Sequence, residues 1–502
     1  MRRRLALLAL SLASSTSAAQ GRVRSPNAVA SENVVAISHV GVVNVERGVA
    51  IPDQTVVVQG ARIVTVGPSR TTRVPAGSRV VDGRGRYVMP ALWDMATWTL
   101  DYRACNPAVF PLLVAHGVLG VRDHGTRLPL QAIRPLKDSI ARGLLLGPRL
   151  VVAGRSLATP DSAWTGRMRT VAEIDRAVDS LAAAGADYIR FRQYLLPELL
   201  PAVVRAAQRH HLPVTGAVVF GYARAAESGV RGIDHPADLS RSTSFARHGY
   251  AAAYARGTPQ GLDAAFREEF ARLPASARRP GDSTFASGDQ AYAYFAHLRE
   301  TRDTAFYRAT LATLASRRTW ITTNLSDFSW SLPRFELFDP LRARWRTHAQ
   351  NVAMYRRAGE NRRLWDYEAT AAQRAGMLTT LRDLHRAGVP LLAGTQLDCG
   401  AGNTPGLSLH DELEWLTDAG LTPAEALRAA TLEPARFLGA SDSLGTIARG
   451  KVADLVLLDG DPLASITNTR RISTVVRNGD VLDRAALDAL LAVAERAARA
   501  IH

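Results

Sequence analysis

The middle of the chain alternates short apolar segments with longer segments of helical spacing, and this alternation constrains the fold more than any other feature. Strands that are joined through helices lie parallel, because each helical connection returns the chain to the same edge of the sheet. We therefore predict an α/β fold built from βαβ units. The clearest predicted strands are Gly117–Arg122, Arg149–Ala153, Ala186–Phe191, Leu212–Gly216, Thr319–Thr323 and Val389–Gly394, with helices such as Val171–Ala184 and Thr422–Ala430 between or after them.

Both ends of the chain carry β-branched runs that are broken by glycine, proline and aspartate. Residues 34–81 and 454–483 have this character, and Asn478-Gly479 is a hairpin signal in the second stretch. We expect the two ends to build one small β-domain together. Beyond it, apolar residues recur at helical spacing from Arg484 to Ile501, which predicts an amphipathic helix.

The formal net charge is +16, and the only lysines among the 62 basic residues are Lys137 and Lys451. A nucleic-acid partner usually leaves a dense basic block in the sequence, and this sequence contains none. We expect no nucleic acid as a partner, while attraction to anionic surfaces stays open. With 502 residues, 47% of them hydrophobic, the chain is long enough for one large domain and a smaller accessory domain.

The N-terminus has the pattern of a secretory signal. Arg2–Arg4 form a positive stretch, Leu5–Ala13 form a short apolar core, and Ser17–Ala19 are the small residues that a signal peptidase requires. We expect cleavage after Ala19 and export to the periplasm or the medium. The apolar run is too short to span a bilayer, and no later stretch reaches about 18 apolar residues, so we expect no membrane span.

A series of motifs recurs in order along nearly the whole mature chain. It consists of Met89–Met95, Gly117–Val118 with Arg122–Asp123, Gly147–Leu150, Gly185–Asp187, Leu407–Leu413, Ala419–Pro423, Ala429–Thr431, Gly445–Ile447 and Gly450–Leu455. In this order and spacing the chain resembles the metal-dependent amidohydrolases, in particular the imidazolonepropionase-like and Xaa-Pro dipeptidase-like branch of that superfamily.

The resemblance implies a TIM-like (β/α)8 barrel with a small β-sandwich domain formed from both termini. The region from Pro236 to Arg318 is longer than a barrel connection should be, so we expect a helical insertion there. The predicted divisions are a signal peptide at 1–19, the first part of the β-sandwich at 20–88, the barrel at 89–436 with the insertion at about 237–318, the second part of the β-sandwich at 437–483, and the C-terminal helix at 484–502.

The resemblance also implies one or two divalent metals at the barrel mouth, where the strands end. In the family, a His-x-His pair, a carbamylated lysine, two further histidines and an aspartate surround the metals, which lower the pKa of bound water toward about 7. The corresponding positions in this sequence are Ala96 and Trp98 for the pair, Arg190 for the lysine, Ala217 and His235 for the histidines, and Gln396 for the aspartate. Only His235 keeps the family residue.

The chemistry of the substituted positions opposes metal binding. The alanines offer no lone pair, and the indole nitrogen of Trp98 can only donate a hydrogen bond. Arg190 stays protonated and repels a cation, and Gln396 can neither accept a proton from water nor neutralise a metal. We therefore predict no cofactor and the loss of the family's ordinary hydrolysis.

Two alternatives keep catalysis open. The site could have been rebuilt around one zinc ion by His124, Asp398 and His235, because three nitrogen or oxygen ligands suffice for zinc. Metal-free acid–base chemistry is the other alternative, with Asp398, His235 or His410 as the proton carrier. Asp398 lies two residues beyond Gln396, which occupies the position of the family base, so Asp398 could substitute for that base.

The two cysteines give a separate hypothesis. Cys105 and Cys399 follow the first and eighth strands, which are neighbours in a closed eight-stranded barrel. In the oxidising compartment that we expect for this chain, they could form a disulfide across the mouth. Two free thiols are the equal alternative.

Three functions remain compatible with the sequence. The first is an ancestral hydrolase of C–N bonds that has become a metal-free pseudoenzyme and binds a small molecule at the mouth. For that ligand we expect an anionic or amide-bearing compound, with Arg190 as the anchor of the anion. The second is an active C–N hydrolase with a rebuilt site. The third is a silent partner subunit of an active paralogue, and a homo-oligomer is also open.

Overall fold

The computed structural model describes residues 34–100, 106–126, 128–158, 168, 170–192, 195, 197–218, 221–236, 239, 302–325, 364–397 and 403–499. The predicted signal peptide, most of the predicted insertion, and the side chains of Cys105, Asp398 and Cys399 lie outside these residues. The predictions that concern them, including the disulfide and the export signal, therefore stay predictions.

Strands and helices alternate through the middle of the described chain. The strands are β1 (Val34–Asn44), β2 (Val49–Gln59), β3 (Arg62–Pro68), β4 (Arg79–Asp82), β5 (Tyr87–Pro90), β6 (Leu92–Thr97), β7 (Val118–Asp123), β8 (Arg149–Val152), β9 (Ile189–Phe191), β10 (Val214–Ala217), β11 (Gly232–Asp234), β12 (Trp320–Thr322), β13 (Leu391–Leu392), β14 (Leu455–Leu458), β15 (Ile472–Arg477) and β16 (Asp480–Leu482). The helices are α1 (Asn106–Ala115), α2 (Leu130–Ala141), α3 (Val171–Ala183), α4 (Leu200–Gln208), α5 (Tyr222–Glu227), α6 (Thr304–Ser316), α7 (Leu364–Arg386), α8 (Leu407–Asp418), α9 (Pro423–Ala430), α10 (Leu432–Phe437) and α11 (Arg484–Arg499). The predicted α/β class is confirmed.

The two ends of the chain share one mixed sheet of eight strands. Its order is β16-β15-β14-β5-β1-β2-β3, and β4 also pairs with β1. Hydrogen bonds join all eight strands into one sheet, and its folding into a sandwich stays a prediction. Strand β1 is irregular around Val40 and changes its parallel partner from β4 to β5 along its length.

One buried apolar cluster holds this sheet together. It combines Val35, Ile37 and Val56 from the N-terminal strands with Leu455 and Leu457 from the C-terminal strands. Strand β14 reaches the N-terminal part by pairing antiparallel with β5. Neither end of the chain can bury its apolar face without the other, because each contributes only part of the cluster.

The strands of the middle region form two parallel sheets among the described residues. One has the order β6-β7-β8, the other β13-β12-β11-β10-β9. Isolated bridges connect the two sheets at both seams, Thr97 with Leu397 and Leu157 with Phe191. Among the described residues the parallel strands therefore form two sheets that are linked at both seams, and the closed barrel stays a prediction. At the seams the chain leaves the extended conformation, with a φ of 57° at Ala158 and 53° at Gln396, which limits each seam to a single bridge.

Helix starts match their local sequence. Thr422 caps α9 in a capping box with Glu425, and Pro423 occupies the first turn, as predicted from the sequence.

The end of the predicted insertion contains α6, whose side chains Tyr307 and Leu311 are buried. No helix within the described ranges is both long and apolar enough to cross a membrane.

The close contact between Gly120 and Trp93 gives a test of the packing inside the parallel strands. A Cβ atom added at Gly120 would lie inside the contact distance of the Trp93 ring, which is 6% exposed. Gly120→Ala should therefore lower the free energy of unfolding by about 1–3 kcal/mol, measured by urea denaturation. In a Trp93→Leu background the same substitution should cost less, because the ring is gone. An equal cost in both backgrounds would contradict the packing.

Candidate functional site at the strand ends

The carboxyl ends of the parallel strands gather a set of polar and aromatic side chains. Some belong to the strands themselves, and others follow a strand by a few residues. Since all these strands run in the same direction, their ends meet on one side of the fold. We call the set the mouth cluster; it consists of Trp98, Arg122, His124, Arg190, Asp234, His235, Asn324 and Gln396.

Asp234 lies between two buried arginines at the centre of the mouth cluster. Its Oδ1 accepts a hydrogen bond from Arg122 Nη2 at 3.1 Å, and its Oδ2 accepts one from Arg190 Nε at 2.9 Å. All three side chains are at most 1% exposed. Charged groups are buried at a reasonable free energy only when they are paired and hydrogen-bonded, and here one carboxylate serves two guanidinium groups.

The rest of each guanidinium group is held by the surrounding strands. Arg122 donates from Nε to the carbonyl of Met95 at 2.7 Å and from Nη2 to the hydroxyl of Thr322 at 3.0 Å. Its guanidinium carbon lies 5.1 Å from the ring centre of Phe437. Arg190 donates from Nη1 to Ser156 Oγ at 3.1 Å. These contacts fix the two cations inside the fold.

Ionisation of the cluster follows from these contacts. Burial acts to raise the pKa of Asp234, but His124, Arg190 and Arg122 together outweigh burial and hold that pKa below its ordinary value. Burial lowers the pKa of His124 well below its ordinary value, which the arginines reinforce and Asp234 opposes. At neutral pH Asp234 is therefore a carboxylate and His124 a neutral imidazole.

Arg190, which the sequence predicts as the anchor of an anionic ligand, also has a partner in its own chain, Asp234. The anchoring role stays a prediction. Sequence reasoning missed Asp234 and Arg122, which lie 112 residues apart. The available signal was a charged residue inside the apolar strand β7, since charges are rarely buried without a partner.

A chain of hydrogen bonds connects three of the positions that the sequence singled out. Trp98 Nε1 donates to Gln396 Oε1 at 3.0 Å. Gln396 Nε2 lies 2.8 Å from His235 Nε2, and Asn324 Nδ2 lies 3.2 Å from His235 Nδ1. Trp98 thus reaches His235 through Gln396. Ala96 and Ala217, which are also buried at these strand ends, add no polar atom.

Trp98 sets the direction of this chain because an indole nitrogen can only donate. Gln396 must therefore turn its oxygen to Trp98 and its NH2 group to His235. His235 Nε2 then accepts from Gln396, which places the proton of the neutral imidazole on Nδ1. Both ring nitrogens of His235 lie within hydrogen-bond distance of a carboxamide side chain.

The backbone at three strand ends is left-handed, with a φ of 63° at His235, 50° at Asn324 and 53° at Gln396. A left-handed conformation is uncommon for residues other than glycine and costs free energy, least for Asn. These three residues are also the ones whose side chains bond to one another. The side-chain contacts and the backbone conformation therefore depend on each other.

Asp94 forms hydrogen bonds with two chain segments that lead to residues of the mouth cluster. It accepts hydrogen bonds from the backbone N–H of Ala96 at 3.1 Å and of Thr395 at 3.0 Å, and from the Thr395 hydroxyl at 2.5 Å. Burial raises the pKa of Asp94 to about 7, against the effect of these hydrogen bonds. Asp94 connects β6 to the segment that leads to Gln396, so the two stay side by side.

His410, considered above as a proton carrier, lies elsewhere. It is buried in α8, where its Nδ1 lies 2.9 Å from Thr469 Oγ1 and its Nε2 lies 3.0 Å from the carbonyl of His116. His116 immediately precedes the turn into the amino end of β7, which is the end opposite the mouth cluster. The structure therefore does not bring His410 to the candidate site.

The chain is similar to known proteins in part of its sequence and in its fold. Residues 341–482 match the model of the amidohydrolase family. The imidazolonepropionase of Geobacillus kaustophilus is 33% identical over 113 residues, which cover 21% of this chain and 26% of that protein. The bottromycin amidohydrolase shares the fold with a TM-score of 0.66 at 22% identity, over 92% of this chain and 90% of that one.

The predicted resemblance to the amidohydrolase superfamily is confirmed. A solved Xaa-Pro dipeptidase with bound methionine in its active site also shares the fold, with a TM-score of 0.59 at 16% identity, over 90% of this chain and 100% of that one. The sequence match to the imidazolonepropionase covers about a quarter of that relative's length.

The residues present do not fit the metal centre that the amidohydrolase resemblance implies. Both carboxylate oxygens of Asp234 bind guanidinium groups, and both ring nitrogens of His235 have hydrogen-bond partners. His124, a candidate for a rebuilt site, has its Nε2 3.0 Å from Arg122 Nη2, which is cationic. Within the described part of the chain, no group of three or more His, Cys, Asp or Glu side chains is arranged to hold a metal ion.

The central ion pairs give a direct test of the site. Asp234→Asn leaves two buried guanidinium groups without a carboxylate and should lower the free energy of unfolding by about 3–5 kcal/mol at pH 7, measured by urea denaturation. Because the pKa of Asp234 is held below its ordinary 3.8, the advantage of the wild-type protein should persist at neutral pH and shrink as the pH falls below about 4.

Asp488→Asn is the matched control. Asp488 pairs with Arg484 at 2.9 Å, and both side chains are exposed. The control should change the free energy of unfolding by less than about 1 kcal/mol. A similar effect of the two substitutions would show that the cluster is not a buried ion network.

Proposed function

We propose that this chain is a metal-free, catalytically silent amidohydrolase homologue that is exported and binds a small molecule at the mouth of a closed (β/α)8 barrel. The ligand is anionic or amide-bearing. One observation carries the proposal: His235, the one position of the expected ligand set that keeps the family residue, has both ring nitrogens within hydrogen-bond distance of carboxamide side chains. A divalent metal would have to break the bond to Gln396 to reach it.

The electrostatics support the same proposal. A catalytic metal needs negative charge around it, and the carboxylate of Asp234 is shared by two buried guanidinium groups. The arginines supply the positive charge that a metal would otherwise bring. A further cation beside Arg122 and Arg190 would be repelled in a medium of low dielectric constant.

The cluster residues would position a ligand rather than transform it. The Trp98 indole is partly exposed and offers a flat surface, and Arg190 lies over its ring at 5.1 Å. Gln396 and Asn324 carry carboxamide groups at the strand ends, which suit a ligand with amide or carboxylate oxygens. Asp234 is saturated by its two arginines and is therefore not available to activate water.

A second candidate is an active hydrolase of C–N bonds, and the similar proteins favour it. They include an imidazolonepropionase, a Xaa-Pro dipeptidase and an amidohydrolase by name. Such an activity here would need a rebuilt site, with Asp398 and His124 as the remaining candidates for ligands or bases. His124 is fully buried and pairs with Arg122, which opposes that role.

Metal content and activity decide between the two candidates. The mature protein, purified with zinc in the medium, should contain less than about 0.1 zinc per chain, measured by mass spectrometry. It should not turn over dipeptides or imidazolone propionate, with or without added zinc. An imidazolonepropionase prepared in the same way serves as the positive control. One zinc per chain together with turnover that His235→Ala abolishes would overturn the proposal.

A further inference from the structure

Asn478 and Gly479 form a chemically reactive pair at a structurally defined position. Asn478 is the only asparagine of the sequence that is followed by glycine. The two residues connect β15 to β16, and the residues on either side of them, Arg477 and Asp480, pair across the hairpin. Both connecting residues have a left-handed backbone, with a φ of 50° at Asn478 and 86° at Gly479, which is the requirement of a type I′ turn. The hairpin that the sequence predicts here is confirmed.

An asparagine that precedes glycine can lose its side-chain amide in an intramolecular reaction. The backbone nitrogen of the glycine gives up its proton and attacks Cγ of the asparagine. The bond from Cγ to the amide nitrogen then breaks, and that nitrogen leaves with the proton as ammonia. Water opens the resulting five-membered imide at either carbonyl and gives aspartate or isoaspartate. Glycine favours the reaction because it has no side chain that hinders the attack, and water is the one co-reactant.

The side chain and the backbone of Asn478 are held by two residues outside the turn. Its Oδ1 accepts a hydrogen bond from Arg149 Nη2 at 2.7 Å, and its backbone N–H donates to Asp454 Oδ1 at 3.2 Å. Arg149 also donates from Nε to Asp454 Oδ2 at 2.7 Å, so the three residues form a closed ring of contacts. Arg149 begins β8 and Asp454 precedes β14, which means that the turn is attached to a parallel strand and to the eight-stranded sheet at once.

These contacts oppose the movement that deamidation requires. The Gly479 nitrogen can attack only when the Asn478 side chain turns its Cγ toward that nitrogen, and the bond to Arg149 holds the carboxamide in place. Gly479 itself is buried, and a Cβ atom at this position would overlap the carbonyl of Gly60. The folded turn therefore has little room to change its shape, and the reaction proceeds from molecules in which the turn has opened.

We propose that Asn478 deamidates spontaneously and that Arg149, together with Asp454, controls the rate of this reaction by holding the turn closed. When opening and closing are fast, the rate follows the fraction of molecules with an open turn. This inference does not depend on the proposed function. Arg149 lies at the amino end of β8, whereas the mouth cluster lies at the carboxyl ends of the parallel strands.

The two products differ in their effect on the hairpin. Aspartate at position 478 keeps the length of the backbone, and its carboxylate can accept the hydrogen bond from Arg149 in place of the amide oxygen. Isoaspartate adds one carbon atom to the backbone of a turn of two residues, and the close approach of Gly479 to Gly60 leaves no space for it. We therefore expect isoaspartate to separate β16 from β15.

Peptide mapping of the full-length chain by mass spectrometry tests the proposal. The protein is incubated at mildly alkaline pH, once folded and once unfolded in guanidinium chloride, and the peptide with residue 478 is followed for its conversion to aspartate and isoaspartate. The conversion should be at least about tenfold slower in the folded protein, because only a minor fraction of the folded molecules has an open turn. Equal rates in the two samples, or no conversion in the unfolded sample, would overturn the proposal.

Arg149→Lys isolates the contribution of Arg149. Lysine can still pair with Asp454 as a point charge, but it lacks the planar fork that holds Asp454 and Asn478 at the same time. Conversion at position 478 should therefore be at least about threefold faster than in the wild type, while circular dichroism shows a folded protein.

Arg209→Lys is the matched control. Arg209 is an exposed arginine that bonds to Asp175 and Asp179 through the two nitrogens of its fork, outside the turn. This substitution should leave conversion at position 478 unchanged. If Arg149→Lys also leaves the rate unchanged, the proposed control by Arg149 is wrong. If Arg149→Lys slows the conversion, Arg149 activates the carboxamide instead of restraining it, and the proposal is equally overturned.

Thermal unfolding tests the effect of the two products. Asn478→Asp carries aspartate from the start and should melt within about 2 °C of the wild type. Wild-type protein that has been incubated until isoaspartate predominates at position 478 should melt below Asn478→Asp by more than about 2 °C. Equal midpoints would show that the hairpin tolerates the longer backbone, which contradicts the expected separation of β16.

Discussion

The pairing of Asp234 with Arg122 and Arg190 is the interaction on which the site depends. One carboxylate at the strand ends holds two fully buried guanidinium groups, each of which also bonds to neighbouring strands. Positive charge is thereby built into the protein at the place where the amidohydrolase resemblance implies a metal. The burial of these charges is compatible with a folded chain only while all three side chains are present together.

The single donor of the Trp98 indole has an effect that reaches across three strand ends. It fixes the orientation of Gln396 and, through it, the proton position of His235. His235 is thereby a hydrogen-bonded member of a chain that begins at Trp98.

Part of this account could be predicted from the sequence. The apolar run Gly117–Arg122 predicted β7, and the capping box at Thr422 predicted the start of α9. The superfamily followed from ordered motifs. The Asp234 network could not be predicted, because Asp234 and Arg122 are 112 residues apart and meet only when the strands assemble. The left-handed backbone at Asn324 and the single bridges at the seams also depend on tertiary contacts that no local pattern encodes.

The proton position of His235 tests the central claim most directly. Two-bond ¹H–¹⁵N correlation spectra of histidine-labelled protein at pH 7 distinguish the two neutral tautomers, and the signal of His235 is the one lost in His235→Gln. We expect a neutral ring with the proton on Nδ1 and no change when zinc is added. A proton on Nε2, a charged ring, or a zinc-dependent shift of this signal would contradict the account.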